Sequence, residues 1–138
     1  MSLLMVMDGQ GGGIGKAIIK RLRDSFGEEI KILALGTNSV ATSQMMKAGA
    51  NRGATGENAI ISMAYEAKII IGPLAIIMAN SMMGEVTPEM SRAISSSKAL
   101  KILIPLTQER VEIVGVSPEP LPHLIDQAIN IIKEREVK

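Results

Sequence analysis

The sequence predicts a three-layer α/β fold of Rossmann-like type: a mostly parallel five-stranded sheet with an antiparallel edge strand and helices on both faces. Three observations predict it. Short apolar runs rich in β-branched residues alternate along the chain with amphipathic segments of helical period. Those runs are almost continuously apolar, as strands covered on both faces require. The first run ends directly in a glycine-rich turn that opens a helix, the junction at which such folds hold phosphate.

Leu3 to Met7 reads as a buried strand ending at Asp8. The turn Gly9-Gln10-Gly11-Gly12-Gly13-Ile14-Gly15 leads into a helix that sets Ile14, Ala17, Ile18, Leu22 and Phe26 on one face and stops at Gly27. Ile30 to Leu35 is a second strand. Gly36-Thr37-Asn38-Ser39 turns and caps a helix carrying Val40, Ala41, Met45 and Ala48, with Gly49 as its stop. A glycine-rich loop from Gly49 to Gly56 precedes a helix with Ile60, Met63, Ala64 and Ala67 inward. Lys68 to Ile71 is a third strand, closed by Gly72-Pro73. Leu74 to Met83 fits a buried helix or a strand equally. Thr87-Pro88-Glu89 starts a helix that fades in Ser95-Ser96-Ser97. Ala99 to Leu106 is a fourth strand. Val111 to Val116 follows a short polar turn and is expected as the antiparallel fifth strand at the sheet edge. Pro118, Pro120 and Pro122 lead into a last helix facing inward with Leu121, Leu124, Ile125, Ala128 and Ile132.

The bulk composition narrows the function classes. A chain of 138 residues has the size of one domain, and residues 1–138 are read as a single Rossmann-like unit. Met1-Ser2-Leu3 reads in part as a cloning remnant. The net charge is +1 and the chain has one Tyr and one Phe, which argues against nucleic acid as a partner. Cysteine is absent, which removes thiolate metal sites and nucleophiles, and no other metal constellation is visible. Apolar stretches fall short of the about 18 residues a membrane span needs. With no signal-peptide pattern at the N-terminus, the cytoplasm is expected. Ten methionines read first as adaptable core filling, with an adaptable contact surface as the alternative.

The candidate site follows from the glycine turn. A helix N-terminus presents unpaired N–H groups and the positive end of its dipole, and glycines let backbone approach an anion. Five glycines in the seven residues from Gly9 to Gly15 sit in that context. A nucleotide ligand is therefore expected over Asp8, Gly9, Gln10, Gly11, Gly12, Gly13, Ile14, Gly15 and Lys16. Thr37, Asn38 and Ser39 belong at the end of the second strand, and Gly72 and Asn80 near the end of the third. Asp8 could face a ribose or Mg²⁺, or cap the loop backbone as an Asx turn. Arg52, Thr55 and Gly56 form a second glycine-rich loop in which Arg52 could grip a phosphate or simply be solvated. Thr37, Asn38 and Ser39 could serve as helix caps alone. His123 has no second His or Cys to share a metal with and reads as a surface residue.

Three resemblances rest on these residues. Gly9, Gly13, Ile14, Gly15, Lys16, Ala17 and Ile18 resemble the opening of short-chain dehydrogenases. That resemblance implies a nicotinamide cofactor, yet covers one βα unit. Those enzymes use a catalytic Tyr with a Lys four residues on, whereas Tyr65 here has Lys68 three residues on. Gly36-Thr37-Asn38 also lacks the acid that holds a ribose diol and the Arg or Lys that holds a 2′-phosphate. Gly11 to Ala17 is similar to the phosphate loop of deviant Walker ATPases, but Gly11 stands where they carry a lysine and Ala17 where they carry a Mg²⁺-binding hydroxyl. The third resemblance runs nearly end to end. Asp8 to Lys16, Ala34 to Asn38, Gly49-Ala50-Asn51, Gly53 to Asn58, Ala79 to Glu85 and Ile113 to Val116 look like a bacterial family of uncharacterised proteins, domain of unknown function 3842. It implies a Rossmann-like fold and assigns no activity.

The expected function is a nucleotide- or dinucleotide-binding module with a sensing or regulatory role, NAD(P) or ATP being suitable ligands. One alternative is a small enzyme acting on a nucleotide or phosphorylated substrate through Asp8, Lys16, Asn38 and Asn80. The other is a homo-oligomeric interaction protein, with a dimer face on Leu74 to Met83 and a purely architectural glycine loop.

Overall fold

The computed structural model describes residues 3–136. Met1 and Ser2, from the segment read as a cloning remnant, lie outside the described residues, and Leu3 opens the first strand. The elements in chain order are β1 (Leu3–Asp8), α1 (Gly13–Phe26), β2 (Lys31–Gly36), α2 (Ser39–Ala48), β3 (Arg52–Thr55), α3 (Glu57–Met63), β4 (Ile69–Pro73), α4 (Pro88–Ser96), β5 (Leu100–Ile104) and α5 (Leu121–Glu136). Short 3₁₀ turns occupy Gly27–Glu29 and Leu74–Ile77.

The strands pair in the order β3-β2-β1-β4-β5, and every pairing is parallel. This is the Rossmann-like order, with β1 central. Alternation along each strand divides the core into two layers. Leu4, Val6, Ile32, Ala34, Ile69 and Ile71 pack against α1, α2 and α5. Met5, Met7, Leu33, Leu35 and Ile70 pack on the opposite face against α3 and α4. Met5, Met7, Met45 and Met90 are buried, so much of the methionine complement is core filling.

Three expectations change. The fifth strand is Arg52–Thr55, not Val111–Val116, and the sheet has no antiparallel edge. Arg-Gly-Ala-Thr has little strand propensity of its own. Pairing of Arg52 to Leu33 through Thr55 to Gly36 makes it a strand. Gly53 also lets α2 approach, since a Cβ there would lie 2.8 Å from the Thr42 methyl. Val111–Val116 instead forms an unpaired, turning segment with Gly115 at φ 90°. It starts from a fixed point at the sheet's carboxyl rim, because the Glu109 carboxylate accepts the Met82 N–H at 2.8 Å. The ambiguous segment after β4 is neither a regular helix nor a strand. It is the Leu74–Ile77 turn followed by a tight loop. Ala75, Ile76 and Ser81 are buried in this chain's own interior, whereas Leu74, Ile77 and Met78 are half-buried and Met83 is exposed.

Candidate functional site

The site grows from the end of β1, at the point where the strand connections diverge to the two sides of the sheet. The turn after Asp8 closes through the Gly12 N–H, which donates to the Gly9 carbonyl at 2.9 Å. Gly12 takes φ 76°, and Gln10 is held at φ 49°. Three glycines of the turn are required by packing. A Cβ on Gly9 would strike the Thr37 hydroxyl and the Met82 sulfur, one on Gly12 the Ala41 backbone, and one on Gly15 the Met45 side chain. Gly11 and Gly13 are different. They are exposed, have ordinary φ, and a Cβ on either would meet nothing within 4 Å. Their N–H groups find no hydrogen-bond partner among the described residues.

Asp8 is buried beneath this turn. One carboxylate oxygen accepts the Gly9 N–H at 2.8 Å and the other the Gly15 N–H at 2.7 Å. Burial pushes its pKa above the ordinary aspartate value, while the N–H groups of Gly15, Gly9 and Ile14 pull the other way. Of the two roles expected for Asp8, the backbone cap is the one its bonds describe.

A second carboxylate crosses the crevice between β1 and β2. The Glu85 Oε1 accepts the Gln10 N–H at 2.8 Å, the Thr37 hydroxyl at 2.7 Å and the Asn38 amide at 2.8 Å. Burial works to raise its pKa. The three donors outweigh that and hold it below the ordinary glutamate value. The end of β2 lacks its own acid, and Glu85 brings one there from the loop after β4. Asn38 is fully committed. Its amide also donates to the Gln10 carbonyl at 3.0 Å, and its oxygen caps α2 by accepting the Ala41 N–H at 2.9 Å.

On the other side of the turn, over β4 and β5, lies an open cavity of about 580 Å³. Its floor is Gly9 to Ile14. One wall is Pro73, Ala75, Met82 and Met83, and the other is Leu106, Thr107, Gln108 and Glu109, with Asn80 between. Asn80, Met82 and Met83 have positive φ of 66°, 55° and 57°. With Gln10 they are all the non-glycine positive-φ positions among the described residues, and all four line this cavity. Such a conformation is tolerable for Asn and costly for Met. Bonds within the loop hold it, including Asn80 N–H to the Val86 carbonyl at 2.7 Å and the buried Ser81 hydroxyl to the Ala75 carbonyl at 2.6 Å.

Asp8, Gly9, Gln10, Gly11, Gly12, Gly13, Ile14 and Asn80 therefore gather around one cavity. Thr37 and Asn38 lie across the turn, on the side closed by Glu85. Ser39 is an exposed first residue of α2. Gly72 is buried in β4 and shaped by packing, since a Cβ there would strike the Met7 carbonyl. Gly15 and Lys16 lie in the first turn of α1 outside the lining, and the Lys16 N–H donates to the Gly12 carbonyl at 2.9 Å. Thr55 and Gly56 close β3. The Thr55 hydroxyl bonds that of Thr42 at 2.7 Å, and the Gly56 N–H donates to the Gly36 carbonyl at 2.9 Å. Arg52 opens β3 at the far end of that strand, is exposed and lies outside the lining of this cavity. Sequence reasoning missed Glu85, the Met82-Met83 wall and the Leu106–Glu109 wall. The strand order was the signal that could have found them, because residues after β4 and β5 must flank a switch point beside β1.

Among the described residues no group of three or more His, Cys, Asp or Glu could hold a metal ion, and no helix is long and apolar enough to cross a membrane. The chain matches the family model described as Domain of unknown function (DUF3842) over residues 3–137, and it belongs to that family. No curated protein sequence matches it. Among solved structures it is similar to a dodecameric FMN-dependent Ubix-like decarboxylase from Escherichia coli O157:H7, at 14% identity and a TM-score of 0.47, covering 100% of this chain and 95% of that one.

Proposed function

We propose that this chain is a small nucleotide-binding module that holds one nucleotide unit in the cavity beside β1. The observation that carries it is the pair Gly11 and Gly13. Neither turn geometry nor packing requires glycine at these positions, and both present unpartnered N–H groups at a helix N-terminus where a phosphate is favoured. The cavity has the volume of a small-molecule site, and Pro73, Ala75, Met82 and Leu106 supply apolar surface for a flat ring. Asn80, Thr107 and Gln108 supply neutral polar groups for a sugar or base edge.

Two features favour one nucleotide unit over a dinucleotide, and binding over turnover. The β1–β2 crevice, which would take the ribose of a dinucleotide's second half, is closed by Glu85 on Thr37 and Asn38. The ionisable side chains lining the cavity are Asp8 and Glu109, and both carboxylates already accept backbone N–H groups. A sensing or regulatory role suits a site of this kind.

The test is a thermal-shift panel of nucleoside mono- and triphosphates, NAD, NADP, S-adenosylmethionine and flavins. A ligand at 100 times its Kd stabilises by about 2.7 kcal/mol, which moves Tm by several degrees. Gly13→Asp should remove the response and leave the Tm of the free protein intact, because the position is open and an acid suits a first helical turn. A response that survives Gly13→Asp places the site elsewhere.

A further inference from the structure

We infer that the segment 111–116 and the free edge of β5 form a docking surface for a second copy of this chain, each copy laying its segment as an added strand along the other's β5. This inference is independent of the nucleotide site.

β5 pairs with β4 on one side and ends the sheet on the other. Among the described residues no backbone hydrogen bond joins it to the 105–120 segment that runs beside it. Leu-Lys-Ile-Leu-Ile is a five-residue edge, apolar at all but Lys101, the kind that templates strand addition unless something covers it. Beside it lies a groove of about 360 Å³, lined by Ile102, Ile104, Leu124 and Ala128 and by the chain's own Gly115 and Val116. The same chain carries a matching element. Val-Glu-Ile-Val-Gly-Val has the composition of a strand, yet in this conformation it leaves Val111, Ile113, Val114 and Val116 exposed, Val114 completely so at 100%.

The segment reaches the groove with Gly115 and Val116 but forms no strand pairing with its own edge here. Glu109 ties its beginning to the Met82 N–H at the carboxyl rim, and the turn from Ile113 to Val116 aims Val114 at solvent. Charge also favours an exchange between copies. The segment 111–116 carries Glu112 as its one charged residue, and β5 with its approach carries Lys98 and Lys101 and no acid. Reciprocal exchange about a two-fold axis uses the arm and the edge of both copies, which is how a short element reaches the roughly 800 Å² per partner of a stable interface.

The experiment is sedimentation equilibrium over a concentration series, with amide hydrogen exchange on the same samples. The wild-type chain should show a dimer mass, with the amides of 111–116, and those of Lys101 and Leu103 on the free side of β5, gaining protection only where the dimer is populated. Val114→Glu should return the monomer mass with the Tm of the isolated fold retained, since Val114 contacts solvent alone. A wild-type monomer throughout the series overturns the inference. So does a monomer whose 111–116 amides are protected, which would place the segment on its own edge. A dimer that persists in Val114→Glu with 111–116 exchanging freely overturns it as well.

Discussion

Removing the Asp8 carboxylate should destabilise the protein by about 3 kcal/mol. Asp8 is 3% exposed, and its two oxygens hold Gly9 N–H at 2.8 Å and Gly15 N–H at 2.7 Å. Both glycines are buried, so Asp8→Ala strands two donors, at about 1–3 kcal/mol each. Loss of an anion at the start of α1 adds up to about 1 kcal/mol. Relief of the desolvation that raises the Asp8 pKa offsets part of this, which brings the sum to about 3 kcal/mol. For 138 residues that is a fall in Tm of roughly 10 °C. Asp8→Asn keeps one acceptor and should fall between. Urea denaturation followed by circular dichroism measures both. An Asp8→Ala variant within about 0.5 kcal/mol of wild type, at unchanged m-value, would refute the argument that these bonds organise the turn.

Further predictions concern pH, the glycines and the cavity. Asp8 has its folded pKa raised above 3.8, so the unfolded chain releases that proton first as pH rises. Its ionisation therefore lowers stability from pH 3.8 up through the raised value, and the wild-type advantage over Asp8→Asn should shrink across that window. Glu85 has the opposite sign. Its folded pKa lies below 4.5, so its stabilisation is full above 4.5 and disappears as pH falls through the lowered value. Glu85→Gln should cost about 1 kcal/mol at neutral pH and converge with wild type in acid, as read by denaturant titration at stepped pH. Gly72→Ala forces a Cβ onto the Met7 carbonyl and should cost about 3 kcal/mol or more, whereas Gly13→Ala should be neutral or slightly stabilising. Ala75→Phe should fill the cavity wall and abolish ligand-induced thermal shifts, as read in the thermal-shift panel.

Much of the fold was legible because local chemistry and tertiary structure agree along most of this chain. Thr87 caps α4 through the Met90 N–H at 3.1 Å with Pro88 behind it, and Gly49 stops α2, as turn and cap chemistry anticipates. The errors fall where partners, not propensity, decide. Arg52–Thr55 is a strand because β2 offers it an edge, and Val111–Val116 is not one because no strand among the described residues pairs with it. The glycine turn and its position beside β1 were readable from one strand–loop–helix run. The cavity was not, since its walls come from residues 73–83 and 106–109, which meet the turn only through the strand order. Glu85 stayed hidden for the same reason. Its partners Gln10, Thr37 and Asn38 are distant in sequence, and no local pattern marks a carboxylate that crosses a crevice.

The most direct measurement is an amide NMR titration of the folded chain with adenosine and guanosine monophosphates, with NAD in parallel. The expected result is saturable shifts centred on Gly11 and Gly13 that spread to Asn80, Met82 and Thr107 and leave Thr37 to Ser39 unmoved. Absence of saturable shifts with every nucleotide, or shifts centred on the β2 side with Gly11 and Gly13 unchanged, would contradict a nucleotide site in the cavity beside β1.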